Sequence, residues 1–219
     1  MSINAWLMLG EALWETVYMV AVAGALSFVF GIPLGVLLHV SRPGKIMESR
    51  VLNQLLGGVV NAGRSIPFII LMVAIVPFTR LLVGTSIGTS AAIVPLTIAA
   101  IPFVARIVEG ALNEVPAGLV EAAQSMGASP MQIISRVLLP EALPGLIHGM
   151  TLTLVTLVGY SAMAGAIGGG GLGDLGIRYG YQRFDGVIML ATVVVLIVLV
   201  QLIQWAGESL QARFEHKQA

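Results

Sequence analysis

Polar and apolar positions along this chain separate into blocks. Four uncharged runs stand between charged clusters: Thr16–Ser41 (26 residues), Leu81–Ala105 (25), Ala142–Gly173 (32) and Gly186–Gly207 (22). A helix that crosses a bilayer needs about 20 mainly apolar residues, so each run is long enough for one span. Gly84–Gly88 reads as a turn ahead of the third span, and the glycine-rich end of the longest run reads as lying outside its helix. A fifth run, Ser65–Thr79, has only 15 residues between Arg64 and Arg80. Its helix is expected to begin near Gly57 and to carry Arg64 inside it. The pattern therefore predicts an all-α integral membrane protein with five transmembrane helices, roughly 16–40, 57–79, 89–108, 142–166 and 186–207, in a single transmembrane domain over 1–219.

The break between the third and fourth spans has a different character. The stretch 113–141 contains two short helical patterns, and neither is long enough to cross a membrane. In the first, Pro116 suits an opening helical turn, Leu119, Ala122, Ala123 and Met126 form an apolar stripe, and Gly127 fits a left-handed terminus. In the second, Ser129 reads as an N-cap with Pro130 at the first helical position and Gln132 completing a capping box. Ile133, Ile134, Val137 and Leu138 follow, and Pro140 is expected to end that helix. Such a pair is either a docking surface or an amphipathic connector lying on the membrane, and helical spacing alone leaves both readings open.

Composition sharpens the class. Hydrophobic residues make up 57% of the chain and charged residues 10%, against about 25% charged in soluble domains. With zero formal net charge there is no basic footprint for nucleic acid, and with no cysteine there is neither a disulfide nor a thiolate site. His39, His148 and His216 are scattered without metal-ligand spacing, and His148 reads as a polar helix-packing residue. Arg42, Lys45, Arg50, Arg106, Arg136, Arg213 and Lys217 fall on one set of connections, and Arg80, Arg178 and Arg183 on the other. The positive-inside bias puts the N-terminus outside and the C-terminus, with the short-helix pair, in the cytoplasm. Glu11 and Glu15 ahead of the first span argue against a cleaved leader. No GxxxxGK[ST] loop is present, and the GxGxxG match at Gly171–Gly176 follows no strand and reads as a flexible outer loop.

The run EAAQSMGASPMQIISRVLLP (121–140) resembles the EAA signature of ABC importer permeases, with Glu121, Ala122, Ala123, Gly127, Val137, Leu139 and Pro140 at its positions. Val137 stands where isoleucine is more usual. The segments NAGRSIPFIILMVAIVPFTRLLVGTSIG, AAIVPLT, LLPEALPGL and TLVGYSAMAGAIGGGGLGDLG extend the likeness toward the methionine-importing branch of that family. The resemblance implies a cytoplasmic pair of short coupling helices between spans 3 and 4. It also implies a second copy of the chain, two cytoplasmic ABC ATPases, a membrane-anchored extracytoplasmic binding protein, and methionine, D and L, as cargo in a bacterial inner membrane. ATP and Mg would sit on the partner ATPase. No cofactor, metal or catalytic group is expected in this chain. Glu121, Ala122 and Ala123 would seat in an ATPase groove, Gly127 would set the angle of the loop, and Ala128, Ser129 and Pro140 would complete the coupling surface.

Candidates for the translocation path are fewer. Arg64, read as lying inside a span, faces either a bundle interior or the headgroups it reaches by snorkelling. Its Arg-Ser-x-Pro run resembles other amino-acid importer permeases, which brings in Ser65 and Pro67. Tyr160, Ser161 and Met163, just before the glycine run, are gate candidates, flanked by small residues that permit close helix approach. Alternative readings are a permease for another small amino acid, an ion-coupled secondary transporter, or a membrane scaffold. The second calls for intramembrane acids and internal repeats, which the sequence does not offer.

Overall fold

The computed structural model describes the backbone of residues 3–215; His216 and Lys217, counted above among the histidines and the cytoplasmic charges, lie outside the described residues. Within that range the chain is helical and contains no strand. The long helices are α1 (Ile3–Val40), α5 (Thr89–Asn113), α9 (Leu143–Ala166) and α11 (Gly186–Glu215). Shorter ones are α2 (Arg50–Ser65), α3 (Phe68–Ala74), α4 (Val76–Val83), α6 (Ala117–Ser125), α7 (Pro130–Ile133), α8 (Leu139–Glu141) and α10 (Gly171–Leu175). Two π-helical turns, Ile134–Leu138 and Gly176–Tyr181, complete the list. The four long helices are each apolar enough to span a membrane. Three of them, α1, α5 and α11, run past the bounds expected from charge, because a charged residue near a helix end does not stop the helix, while α9 keeps to its expected 142–166.

The second span departs from expectation. The stretch 57–79 is covered by parts of α2, α3 and α4, with breaks at Ile66–Pro67 and at Ile75. It counts as a fifth span only if α2 and α3 are taken as one broken unit. Pro67 has no N–H to continue the helix and forces Ile66 away from helical torsions, while Pro77 falls in the first turn of α4. Arg64 therefore lies in the exposed last turn of α2, ahead of the break.

Within the described residues the chain forms two compact units, one from 3–26, Ile66–Ala100 and Thr153–Trp205, the other from Ser27–Ser65, Ile101–Leu152 and 206–215. The core of the first gathers Met19, Ala23, Phe68, Met72, Leu96, Leu157 and Ala164. Beside it, Leu9 and Ala12 pack on Leu172, Leu175 and Ile188. This corrects the reading of 171–176 as a flexible loop. The glycines let the chain turn back into a short helix whose Leu172 is fully buried. Its first N–H groups are taken by α1: Gly171 N–H donates to the Glu15 carboxylate at 2.6 Å and Leu172 N–H to Thr16 Oγ1 at 2.9 Å. An intramolecular carboxylate thus occupies the helix N-terminus where a phosphate would bind.

In the second unit, Val40, Val104, Val108, Leu112, Ile133, Leu138 and Leu146 form the core. Here α1 and α5 touch backbone to side chain. A Cβ on Gly35 would come within 2.5 Å of the Ala105 carbonyl oxygen, and one on Gly31 within 2.7 Å of Val104. The Gly-x-x-x-Gly spacing is what lets these two helices approach so closely.

Candidate functional site

The loop between α5 and α9 has a defined cap or turn at each joint. Three residues after Asn113 ends α5, Pro116 (φ −58°, ψ 129°) caps α6, one position earlier than expected. Met126 ends α6, and Gly127 takes φ +78°, which an L side chain adopts only under strain. There Met126 N–H bonds the Ala122 carbonyl, Gly127 N–H that of Gln124, and Ala128 N–H that of Ala123. Ser129 and Gln132 form the reciprocal capping box: Ser129 N–H donates to Gln132 Oε1 at 2.8 Å, and Gln132 N–H to Ser129 Oγ at 3.4 Å.

Pro140 does not end the second helix. The backbone widens into a π turn over Ile134–Leu138, with Leu139 N–H reaching the Ile134 carbonyl, and α8 then carries Pro140 in its interior. A widened turn relieves the clash that an α-helical proline makes with the carbonyl four residues back. Pro140 itself is exposed.

Burial sorts the loop residues. Ile133, Ile134 and Leu138 point into the core, as does Ala123. Only Val120 and Ala123 lean α6 on that core, so the apolar stripe read from the sequence is split. Leu119 (43% exposed), Ala122 and Met126 (81%) face outward, and Met131 (70%) joins them from α7. Glu121, Gly127 and Ser129 are also exposed and Ala128 is half-buried. Ala123, 5% exposed, is turned toward this chain's own core rather than outward. Among the described residues no group of three or more acids and histidines is placed to hold a metal.

Path candidates divide between the two units. In the first, Pro67 starts α3, and the Phe68 ring stacks on Tyr160 with centroids 4.5 Å apart and planes 3° from parallel. Ser161 is buried with its hydroxyl donating to the Val158 carbonyl at 2.8 Å, which leaves it turned to its own helix. Met163 is exposed. In the second unit, Arg64 is exposed and Ser65 Oγ donates to the Asn61 carbonyl at 2.8 Å. His148 is exposed on α9 and beside an open groove that Glu114 also lines, so it does not serve the helix packing expected of it.

One cluster escaped the sequence reading. Arg106 closes the uncharged run of the third span and Glu109 falls just past the expected end at 108, yet both lie inside α5. Glu109, with its side chain 4% exposed, accepts from Arg42 Nη2 at 2.8 Å and from Arg106 Nη1 at 2.6 Å. Arg106 Nη2 donates to Asn61 Oδ1 at 2.7 Å and to the Gly57 carbonyl at 3.3 Å. Arg42 also reaches Asn113 Oδ1 at 3.2 Å, and His39 Nδ1 lies 3.0 Å from the same oxygen. The signal available in the sequence was the Arg106–Glu109 spacing of three, which pairs opposite charges on one helix face.

The family description "binding-protein-dependent transport system inner membrane component" matches residues 28–216. The chain belongs to that family. Among relatives of this inner-membrane transport component, the probable D-methionine transport system permease protein MetI of Vibrio cholerae serotype O1 is 63% identical over 216 residues, covering 99% of this chain and 96% of the relative. The D-methionine transport system permease protein MetI of Escherichia coli K12 is 59% identical over 160 residues, 73% of each chain. A solved chain of the MetNI methionine ABC transporter, in an inward-facing conformation, superposes with a TM-score of 0.96 at 54% identity, covering 98% of this chain and 99% of that one. The protein is thus a multi-pass inner-membrane permease subunit of the ABC type, with four long apolar helices and one broken one.

Proposed function

We propose that this chain forms the translocation path of an ATP-driven methionine importer, two copies standing side by side over two cytoplasmic ATPases. What supports this most is the uncovered face on α6 and α7: Glu121, Leu119, Ala122, Met126 and Met131 project from a loop whose every joint is fixed by a cap, a proline or a left-handed glycine. A groove on the ATPase takes that face, with Glu121 meeting basic or polar groups and Ser129, Ala128 and Pro140 setting the shape beside it. ATP and Mg stay on the partner. Closure of the ATPase pair carries the loop, and α9, which begins three residues after Pro140 within a nearly continuous helical run, tilts with it. A binding protein anchored outside delivers methionine, so the N-terminus lies outside and the C-terminus inside. Tyr160 against Phe68, with Met163 beside it, forms the gate, and Arg64 and Ser65 line the path in the second unit.

The deciding experiment is uptake in proteoliposomes containing the chain, its ATPase and its binding protein. Methionine enters with internal ATP and is indifferent to an ionophore. Gly127→Pro, which cannot reach φ +78°, abolishes both uptake and stimulated ATP hydrolysis while the protein stays membrane-inserted. Normal coupled turnover by Gly127→Pro, or uptake that an ionophore abolishes, defeats the proposal.

A further inference from the structure

The charged cluster around Glu109 is not explained by forming a permease. Three segments of one unit are linked around a single carboxylate: the turn after α1 pairs with Glu109 through Arg42, α5 carries both Arg106 and Glu109, and α2 is joined one step removed, its Asn61 and Gly57 accepting from Arg106. Arg106, Glu109 and Asn113 stand at i, i+3 and i+7, one face of the last two turns of α5. Only Glu114, Val115 and Pro116 separate those turns from α6. Two cations share one buried anion, and Arg106 Nε is buried with no partner at all. Hydrophobic packing of similar volume would give a helix contact of comparable stability. What charges add is a directional link between named partners, which can hold or let go.

We propose that Glu109 is the positioning residue of a joint through which movement of the α6–α7 loop is passed to α1 and α2. The inference rests on the proposed function and names residues beyond the loop itself. The α1 arm is held by Arg42 to Glu109 at 2.8 Å and to Asn113 Oδ1 at 3.2 Å. The α2 arm is held by Arg106 to Asn61 Oδ1 at 2.7 Å and to the Gly57 carbonyl at 3.3 Å.

The test is the number of ATP molecules hydrolysed per methionine taken up, measured on the reconstituted complex with its ATPase and binding protein. Asn61 is exposed, so Asn61→Ala removes the shorter of the two bonds in the α2 arm without opening the core. It is expected to raise the ratio about fivefold, the lower end of usual coupling energies, with protein level and ATP hydrolysis held. Glu109→Gln removes the shared anion and raises the ratio further; if it fails to insert, the Asn61→Ala ratio decides alone. A merely structural cluster would lower uptake and hydrolysis together, and an unmoved ratio in Asn61→Ala overturns the joint. Should the unmodified complex take up methionine without ATP, the proposed function falls first. A coupled parent with an equally coupled variant removes only this inference.

Discussion

Replacing Met126 by alanine separates a docking face from a packing face. Met126 is 81% exposed and contributes to no core cluster, so in the isolated chain the change should leave stability within about 0.5 kcal/mol. If the outward face of α6 is buried in an ATPase groove, the same change removes roughly 80 Å² of apolar surface from the contact. At about 25 cal/mol per Å² that is about 2 kcal/mol per copy, or about a thirtyfold weaker association. The measurement is a titration of labelled permease, in detergent, with its ATPase, alongside a thermal melt of the permease alone. Ala123→Leu is the opposite case. Ala123 is 5% exposed beneath α6, and a larger side chain there overpacks the core by about 1–3 kcal/mol. The reasoning is refuted if Met126→Ala lowers the melting temperature while leaving ATPase affinity unchanged, because the exposed face would then be packing within the permease.

Two further changes probe the frame. Gly35→Ala places a methyl 2.5 Å from the Ala105 carbonyl oxygen and 2.6 Å from Val108 Cβ, so α1 and α5 must part; a loss of about 1–3 kcal/mol is expected in denaturant melts, and an unchanged melt contradicts the close approach. Glu15→Gln keeps the shape but removes the charge from the bond to Gly171 N–H. It should cost about 1 kcal/mol, a fraction of a charge-assisted hydrogen bond, and should speed amide exchange at Gly171 and Leu172 more than in the core around Leu96.

The elements most legible in the sequence were those coded locally. Uncharged runs located four long helices because the bilayer imposes a length, and Gly127 and the Ser129–Gln132 box were readable because a helix end is decided by three or four neighbouring residues. The break at Pro67 was not legible, because a proline in an apolar segment is compatible with a kinked continuous helix or with two separate ones. Charges used to mark the ends of spans hid the fact that Arg106 and Glu109 neutralise each other inside α5. The tie from Glu15 to Gly171 joins residues 156 positions apart, and nothing local in either segment announces the other. The outward turn of Leu119 and Met126 was likewise not in the stripe itself, since only the neighbouring core shows which half of a stripe is covered.

The π turn at Ile134–Leu138 sets a phase. It holds one residue more than an α-helical turn would, and that surplus fixes how the foot at Pro130–Ile133 is rotated about the helical run leading into α9. Deleting a single residue there would swing the foot by about 100° and draw it up by about 1.5 Å, taking Ile133 and Ile134 out of the core and bringing Pro140 into collision with the turn before it. Homologous chains should therefore tolerate exchange of side chains along this stretch far better than any change in its length, and a one-residue deletion should be silent only if a compensating insertion restores the phase nearby.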